Sequence, residues 1–370
     1  MKRNKKSDKP LVILTAGGTG GHVYPAEALA EELSARGYRL ALVTDQRGKD
    51  NYKGRLGEIP NFAVMAGGVV GKSPLFKVKS LFKVCVGILQ AMRIVLRLRP
   101  VCVVGFGGYA SFPCSMAAIL TGTNLVIHEQ NSVMSRTNRF LSKYATLIAQ
   151  SFRKVKYTPA QVKTILTGMP VRAAIADVAD IAYPPLGDND KMQLLVLGGS
   201  QGAKVFSEVV PEAVKSLTTE QQARLRIVQQ CRKDDVEALN KAYEGVGCEV
   251  TISHFFDNMP ELYAGTHLII SRAGASSVSE IAVAGVPSIL VPLPIAADDH
   301  QTGNADLIGD AKAGIVIAQK DFTAEKLSRL ILDLMNDYEC LQIMSNNAKK
   351  AGIRDAASRF ANAVETLIKK

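Results

Sequence analysis

The sequence predicts two doubly wound α/β domains in tandem. Short apolar runs alternate with helical patterns, the signature of a parallel sheet covered by helices. The unit strand, glycine turn, helix occurs twice, opening at Leu11 and again at Gln193. At 370 residues the chain is also too long for one ordinary core.

In the first half, Leu11 to Thr15 reads as the opening strand, followed by a glycine-rich turn and an alanine-rich helix from about Pro25 to Arg36. Leu40 to Thr44, Val101 to Gly105, Leu125 to His128 and Leu147 to Ala149 are further apolar runs of strand length. The pattern restarts with Gln193 to Leu197, a second glycine turn and a helix. Strands are expected at Leu225 to Gln229, Glu249 to Ile252, Leu268 to Ile270 and Ser288 to Val291. Residues 1–172 are expected as the first domain and 191–352 as the second. Ala173 to Asp190, rich in Ala, Asp, Pro and Gly without a clear period, reads as the linker. Residues 353–370 end the chain as a helix with Phe360, Val364, Leu367 and Ile368 on one face, a helix that could return to the first domain.

Composition narrows the function. With 47% hydrophobic and 21% charged residues, the chain reads as globular. No apolar run approaches the ~18 residues of a membrane-spanning helix, and no secretory h-region follows the basic start. The six cysteines show no CxxC and no metal-type spacing, so neither disulfides nor zinc are expected, and a reducing cytoplasm fits. The charge is lopsided: residues 1–176 hold 26 Lys and Arg against 8 Asp and Glu, residues 177–370 hold 19 against 26. Between Ile59 and Ala176, Glu129 is the only acidic residue among fifteen basic ones. Such a half-molecule calls for a polyanionic partner. With no Trp and no nucleic-acid motif, that partner is expected to be lipid or phosphate, not nucleic acid.

Five loops at strand ends carry the candidate chemistry. Gly17 to His22 (GGTGGH) and Gly198 to Lys204 (GGSQGAK) present bare backbone N–H groups at helix starts, where an anion is favoured. Alone, the first also fits a dinucleotide fingerprint, with Asp45 on a ribose, and the second fits a tight connection with no ligand. The second is not a Walker A loop, because Ala203 stands where a glycine would precede Lys204. Gly105 to Ser111 (GFGGYAS) is a third turn. Arg272 to Glu280 (RAGASSVSE) runs from glycine and serines into a helix, and Asp298 to Asn304 (DDHQTGN) is dense in hydrogen-bonding groups.

Taken in order with His128 to Asn131 (HEQN) and Gly168 to Arg172 (GMPVR), these loops span almost the whole chain and identify it as similar to the MurG family of peptidoglycan N-acetylglucosaminyltransferases. The resemblance implies the GT-B fold: two Rossmann-like domains facing a central cleft, lipid acceptor on the first and UDP-GlcNAc on the second. It implies transfer of GlcNAc to the 4-hydroxyl of lipid I, undecaprenyl-diphospho-MurNAc-pentapeptide, giving lipid II for cell wall biogenesis. No metal and no cofactor are expected. Cell-wall synthesis and division proteins are implied partners, and the cytoplasmic face of the plasma membrane is the implied location.

Residue by residue, the resemblance places Thr19, Gly20 and Gly21 on the donor sugar and diphosphate and Asn131 on the N-acetylglucosamine. Arg172 and Ser200 would hold the diphosphate, and Phe256 would meet uracil through its backbone. Ala275, Ser276, Ser277, Val278, Ser279 and Glu280 would hold phosphate and ribose, with Glu280 on the ribose hydroxyls, and Gln301 would contact the sugar. Met169 stands where the family usually has Asn, His300 where many members have Gln, and Ser276–Ser277 replace a commoner Leu-Thr pair.

An α-linked donor and a β-linked product require one inverting displacement, hence a base for the acceptor hydroxyl and stabilisation of departing UDP. His22 is the candidate base, and a structural imidazole is its alternative. Glu129 is a second possible proton acceptor. A related epimerase would bind the same donor without needing a basic membrane face. In Lys72 to Arg99, Lys72, Lys79, Lys83, Gln90, Arg93 and Arg97 approximate one helical face and Leu75, Val78, Phe82, Val86 and Leu89 another. This reads as a basic amphipathic helix on an anionic membrane, the alternative being a helix packed on its own sheet.

Overall fold

The computed structural model describes residues 9–17, 20–52, 54–67, 74–187, 189–199 and 203–368. The opening run forms strand β1 (Leu11–Thr15), buried throughout. It pairs in parallel with β2 (Arg39–Thr44) and β4 (Cys102–Gly105), setting Val12 opposite Leu40 and Cys102. With β3 (Asn61–Ala63), β5 (Asn124–Glu129), β6 (Leu147–Gln150) and β7 (Thr164–Leu166) this makes a seven-stranded sheet in the order β3-β2-β1-β4-β5-β6-β7. The central strands are apolar on both faces because helices cover both. These helices are α1 (Gly20–Ala35), α2 (Gln46–Asn51), α3 (Gly54–Glu58), α4 (Pro74–Leu98), α5 (Gly108–Leu120) and α6 (Arg136–Leu141).

A second unit, Ala173–Arg354, repeats the plan. Strands β8 (Met192–Leu197), β9 (Leu225–Gln230), β10 (Glu249–Ser253), β11 (Leu268–Ser271), β12 (Ser288–Leu290) and β13 (Gly314–Val316) are all parallel, in the order β10-β9-β8-β11-β12-β13. Its helices are α7 (Ala173–Asp177), α8 (Lys204–Lys215), α9 (Thr219–Ala223), α10 (Val236–Ala242), α11 (Met259–Gly265), α12 (Ala275–Ala284), α13 (His300–Asp310), α14 (Ala324–Met335) and α15 (Tyr338–Ala351). The last helix, α16 (Ala356–Ile368), belongs to the first unit, where Phe360 and Val364 enter the core beside α1.

One expectation changes. The stretch read as a linker, Ala173 to Asp190, is tied into the second unit. Lys349 Nζ donates to the carbonyls of Ala179 and Ile181, both at 2.9 Å, and Tyr183 donates to His267 O at 2.7 Å. Its buried anchors Ile175, Val178 and Leu186 are too sparse to show a period.

For α4, the exposed side chains bear on the two readings. Val78, Phe82 and Leu89 are 67%, 68% and 65% exposed, and the buried face is Ser80, Val84, Gly87, Ala91 and Val95. Small residues decide this choice. A Cβ at Gly87 would collide with the Met65 carbonyl, so the helix lies directly on backbone there and turns its large side chains outward. Lys72 lies outside the described residues, and so does the side chain of Leu75.

Candidate functional site

In the first sheet the order of strand addition reverses between β1 and β4, which run parallel. Ligands of doubly wound sheets bind in the crevice outside the strand ends at such a switch point. Both glycine loops of this unit start there. Phe106 N donates to Thr15 O at 2.9 Å, and a Cβ at Gly17 would collide with that of Ala110, so the loops touch through bare backbone. Gly107 and Gly108, at φ +81° and +75°, hold a conformation that side chains rarely adopt.

His22, in the first turn of α1 beside Gly20 and Gly21, reaches across this junction. Its Nδ1 lies 2.7 Å from Phe106 O. A carbonyl can only accept, so Nδ1 carries the proton and Nε2 keeps its lone pair. A Cβ on Gly108 would sit 3.6 Å from that Nε2, so the glycine leaves the imidazole edge open. Burial lowers the His22 pKa from its ordinary value, partly opposed by the Phe106 bond. The ring is therefore neutral at pH 7, as a base must be. Gln130 Nε2 donates to the same Phe106 oxygen at 2.5 Å, a contact the loop motifs did not reveal.

Two neighbours in HEQN act structurally. His128 is fully buried between Phe106 and Phe360, with ring centroids at 5.6 and 5.1 Å, and burial holds its pKa down to about 3. Glu129 is fully buried. Its carboxylate accepts from Asn131 N at 3.0 Å, Ser135 N at 3.1 Å and Asn138 Nδ2 at 2.7 Å. Burial raises its pKa, and these donors together with the Asn131 side chain pull it back. With both oxygens engaged, Glu129 fixes the turn that carries Asn131 and is not an open proton acceptor. Arg172 lies over the Tyr24 ring, 5.0 Å from its centroid, which places its charge beside the start of α1. Asp45, the ribose residue of a dinucleotide reading, instead caps α2 by accepting from Gly48 N at 2.9 Å. Met169 is buried against Ser151.

In the second sheet the switch falls between β8 and β11, and again two glycine loops flank it. Gly199 turns at φ +76° toward α8. The backbone of α12 begins after Gly274. Ala275, Val278 and Ser279 are buried, and Ser277 is half-buried. Ser276 Oγ is buried with no hydrogen-bond partner among the described residues. Glu280 accepts from Tyr263 Oη at 3.2 Å, so a residue from α11 steadies it. Asn304 Nδ2 donates to Ala273 O at 3.1 Å, tying α13 to this loop, and Gln301 Oε1 accepts from Leu293 N at 2.9 Å. The Arg272 guanidinium donates to Val291 O and to Gln319 Oε1, joining the loops that follow β11 and β12. Phe256 is half-buried after the edge strand β10, two strands from the switch point. The sequence-predicted residues thus gather as Gly20, Gly21, His22, Asn131 and Arg172 in the first unit and Ala275 to Glu280 with Gln301 in the second. Thr19 and Ser200 lie outside the described residues. Among the described residues, no cluster of His, Cys, Asp and Glu could hold a metal.

Two parallel sheets, each with glycine loops at its switch point, are the architecture of the GT-B fold. The chain belongs to glycosyltransferase family 28: residues 12–150 match the family's N-terminal domain and residues 193–360 its C-terminal domain. A relative from Paramagnetospirillum magneticum is 46% identical over 364 residues, 98% of each chain. It is named UDP-N-acetylglucosamine–N-acetylmuramyl-(pentapeptide) pyrophosphoryl-undecaprenol N-acetylglucosamine transferase. A Gluconobacter oxydans relative of the same name is 42% identical, covering 98% of this chain and all of its own. The crystal structure of Acinetobacter baumannii MurG matches with a TM-score of 0.76 at 32% identity, covering 97% of this chain and 99% of that one. A putative UDP-N-acetylglucosamine 2-epimerase from Listeria monocytogenes has a TM-score of 0.68 at 15% identity and covers 98% of this chain and 97% of its own, a likeness of fold alone.

Proposed function

We infer that the chain is an inverting hexosyltransferase. It moves GlcNAc from UDP-GlcNAc to the 4-hydroxyl of lipid I, and the product is lipid II. The observation that carries this is end-to-end identity above 40% with relatives of that name. His22 Nε2 takes the proton from the acceptor hydroxyl as the new C–O bond forms and the bond from C1 to the diphosphate breaks. UDP departs with the bonding electrons on its phosphate oxygen. That charge is held by Arg172, Ser200 and the N–H groups of the glycine loops. The orphan Ser276 hydroxyl suits a phosphate oxygen, and Glu280 takes the ribose hydroxyls. Phe256 meets the uracil through its backbone. Thr19, Gly20, Gly21, Asn131 and Gln301 meet the sugar and diphosphate. Incubation with radiolabelled UDP-GlcNAc and a lipid I analogue should move label into lipid. Label that stays on nucleotide as an epimerised sugar would point to the epimerase chemistry instead.

The acceptor's polyprenyl tail requires contact with the bilayer, and α4 supplies a surface for it. The helix contains no acidic residue. Val78, Leu81, Phe82, Leu89 and Leu96 lie exposed among Lys79, Lys83, Arg93 and Arg97. Large exposed apolar side chains amid unmixed positive charge fit the headgroup region of an anionic membrane. No described helix is long and apolar enough to cross a membrane. The attachment proposed through α4 is peripheral, on the cytoplasmic face of the plasma membrane. Replacing Phe82 and Leu89 together with Asp should weaken binding to vesicles of anionic phospholipid at least tenfold, with little change in melting temperature because both side chains face outward. Unchanged vesicle binding would rule out this face.

A further inference from the structure

Beside the glycine loops of the first unit lies an open cavity of about 590 Å3, walled by Asp45, Arg47, Val64, Met65, Lys83 and Gln90. We propose that this cavity receives the peptide stem of the acceptor and holds its carboxylate end. The inference rests on the transferase reading above.

The cavity wall is hydrogen-bonded to the Gly105–Ser111 loop. Tyr109, next to Gly108, donates to Asp45 Oδ2 at 3.2 Å and is hydrogen-bonded by Arg47. Gly108 in turn lies against His22. A muramyl sugar presented to His22 would therefore have this cavity within reach of a five-residue chain, which spans at most about 17 Å when extended.

The lining chemistry suits such a chain. Asp45 is already engaged by Gly48 N, Tyr109 and Arg47, so its charge is balanced within the wall. With Arg47 set against Asp45, Lys83, which has no carboxylate partner among the described residues, leaves the cavity one net positive charge. Gln90 Oε1 accepts from Met65 N at 2.8 Å, which leaves the Gln90 amide hydrogens for a peptide carbonyl. Val64 and Met65 add apolar wall for small side chains. A peptide attached through its amino end presents a free carboxylate at the other end, the group that a cation at the far wall would select.

The test uses two water-soluble acceptors with a short prenyl chain, one bearing the full pentapeptide and one ending at the muramyl sugar, with no vesicles present. The wild-type protein should show a KM at least tenfold lower for the full acceptor. Lys83→Glu should shrink that ratio toward one by raising KM for the full acceptor. Lys83→Gln should shrink it less, and Met65→Trp, which narrows the cavity without changing charge, should shrink it too. Equal KM values for both acceptors in the wild type, or a ratio that survives in every variant, would overturn the proposal while leaving the transferase reading intact. The second result is also what an anionic lipid headgroup in the cavity would give. No turnover of either acceptor would remove both readings together.

Discussion

Replacing His22 with alanine is expected to lower kcat by about two to four orders of magnitude, the usual contribution of a positioned general base. UDP-GlcNAc should still bind, because the phosphate and ribose contacts assigned to the second unit do not involve His22. His22→Gln separates two roles of the ring. Its amide can still donate to Phe106 O, the acceptor Nδ1 uses at 2.7 Å, but it offers no basic lone pair. A glutamine variant as slow as the alanine variant identifies proton transfer. A glutamine variant near wild-type speed would leave His22 a loop brace. The pH profile gives a third readout. Burial lowers the His22 pKa below its ordinary 6.5, and only the neutral ring accepts a proton. Activity should therefore hold through neutral pH and fall only on the acid side of 6.5, and the His22 variants should lose that acid limb.

Much of this site is legible because its chemistry is local in sequence. A strand of four to six apolar residues followed at once by glycines dictates both a buried central strand and an exposed backbone turn, so β1, β4, β8 and β11 and their loops could be read directly. The edge strands β3, β7 and β13 could not. Each has three residues, none of them fully buried, too short an apolar run to stand out from the loops around it. The face of α4 was read from its large apolar residues, yet Gly87 and Ala91 set the packing, because close approach to backbone outweighs burial of larger side chains elsewhere on the helix. Glu129 looked like a possible base, since a lone carboxylate in a basic region suggests reactivity. Its donors come from Asn131, Ser135 and Asn138, whose convergence depends on how the turn before α6 folds back. The cavity beside Tyr109 draws on three separate segments, near Asp45, Met65 and Lys83, and no spacing rule joins them.

Glu129→Gln should show how strongly that turn depends on one buried carboxylate. Both carboxylate oxygens now only accept: Oε1 from Asn131 N, Oε2 from Ser135 N and Asn138 Nδ2. An amide has one oxygen and one NH2, so in either orientation at least one backbone N–H faces another donor in a site without solvent. Leaving such a donor unsatisfied costs about 1–3 kcal/mol. In a unit of this size that corresponds to a melting temperature lower by about 5 °C. The catalytic consequence should exceed the thermal one. Asn131 takes its backbone direction from the Glu129 bond, so the amide proposed to meet the sugar would be displaced, and kcat/KM should fall at least tenfold at temperatures where the variant is fully folded. The acid limb of the pH profile separates this role from His22's. Glu129→Gln should keep that limb, because the base is intact and only its substrate is misplaced. If Glu129→Gln instead erased the limb while melting like the wild type, the carboxylate would be the proton acceptor, and the turn would owe its shape to the remaining bonds of Ser135 and Asn138.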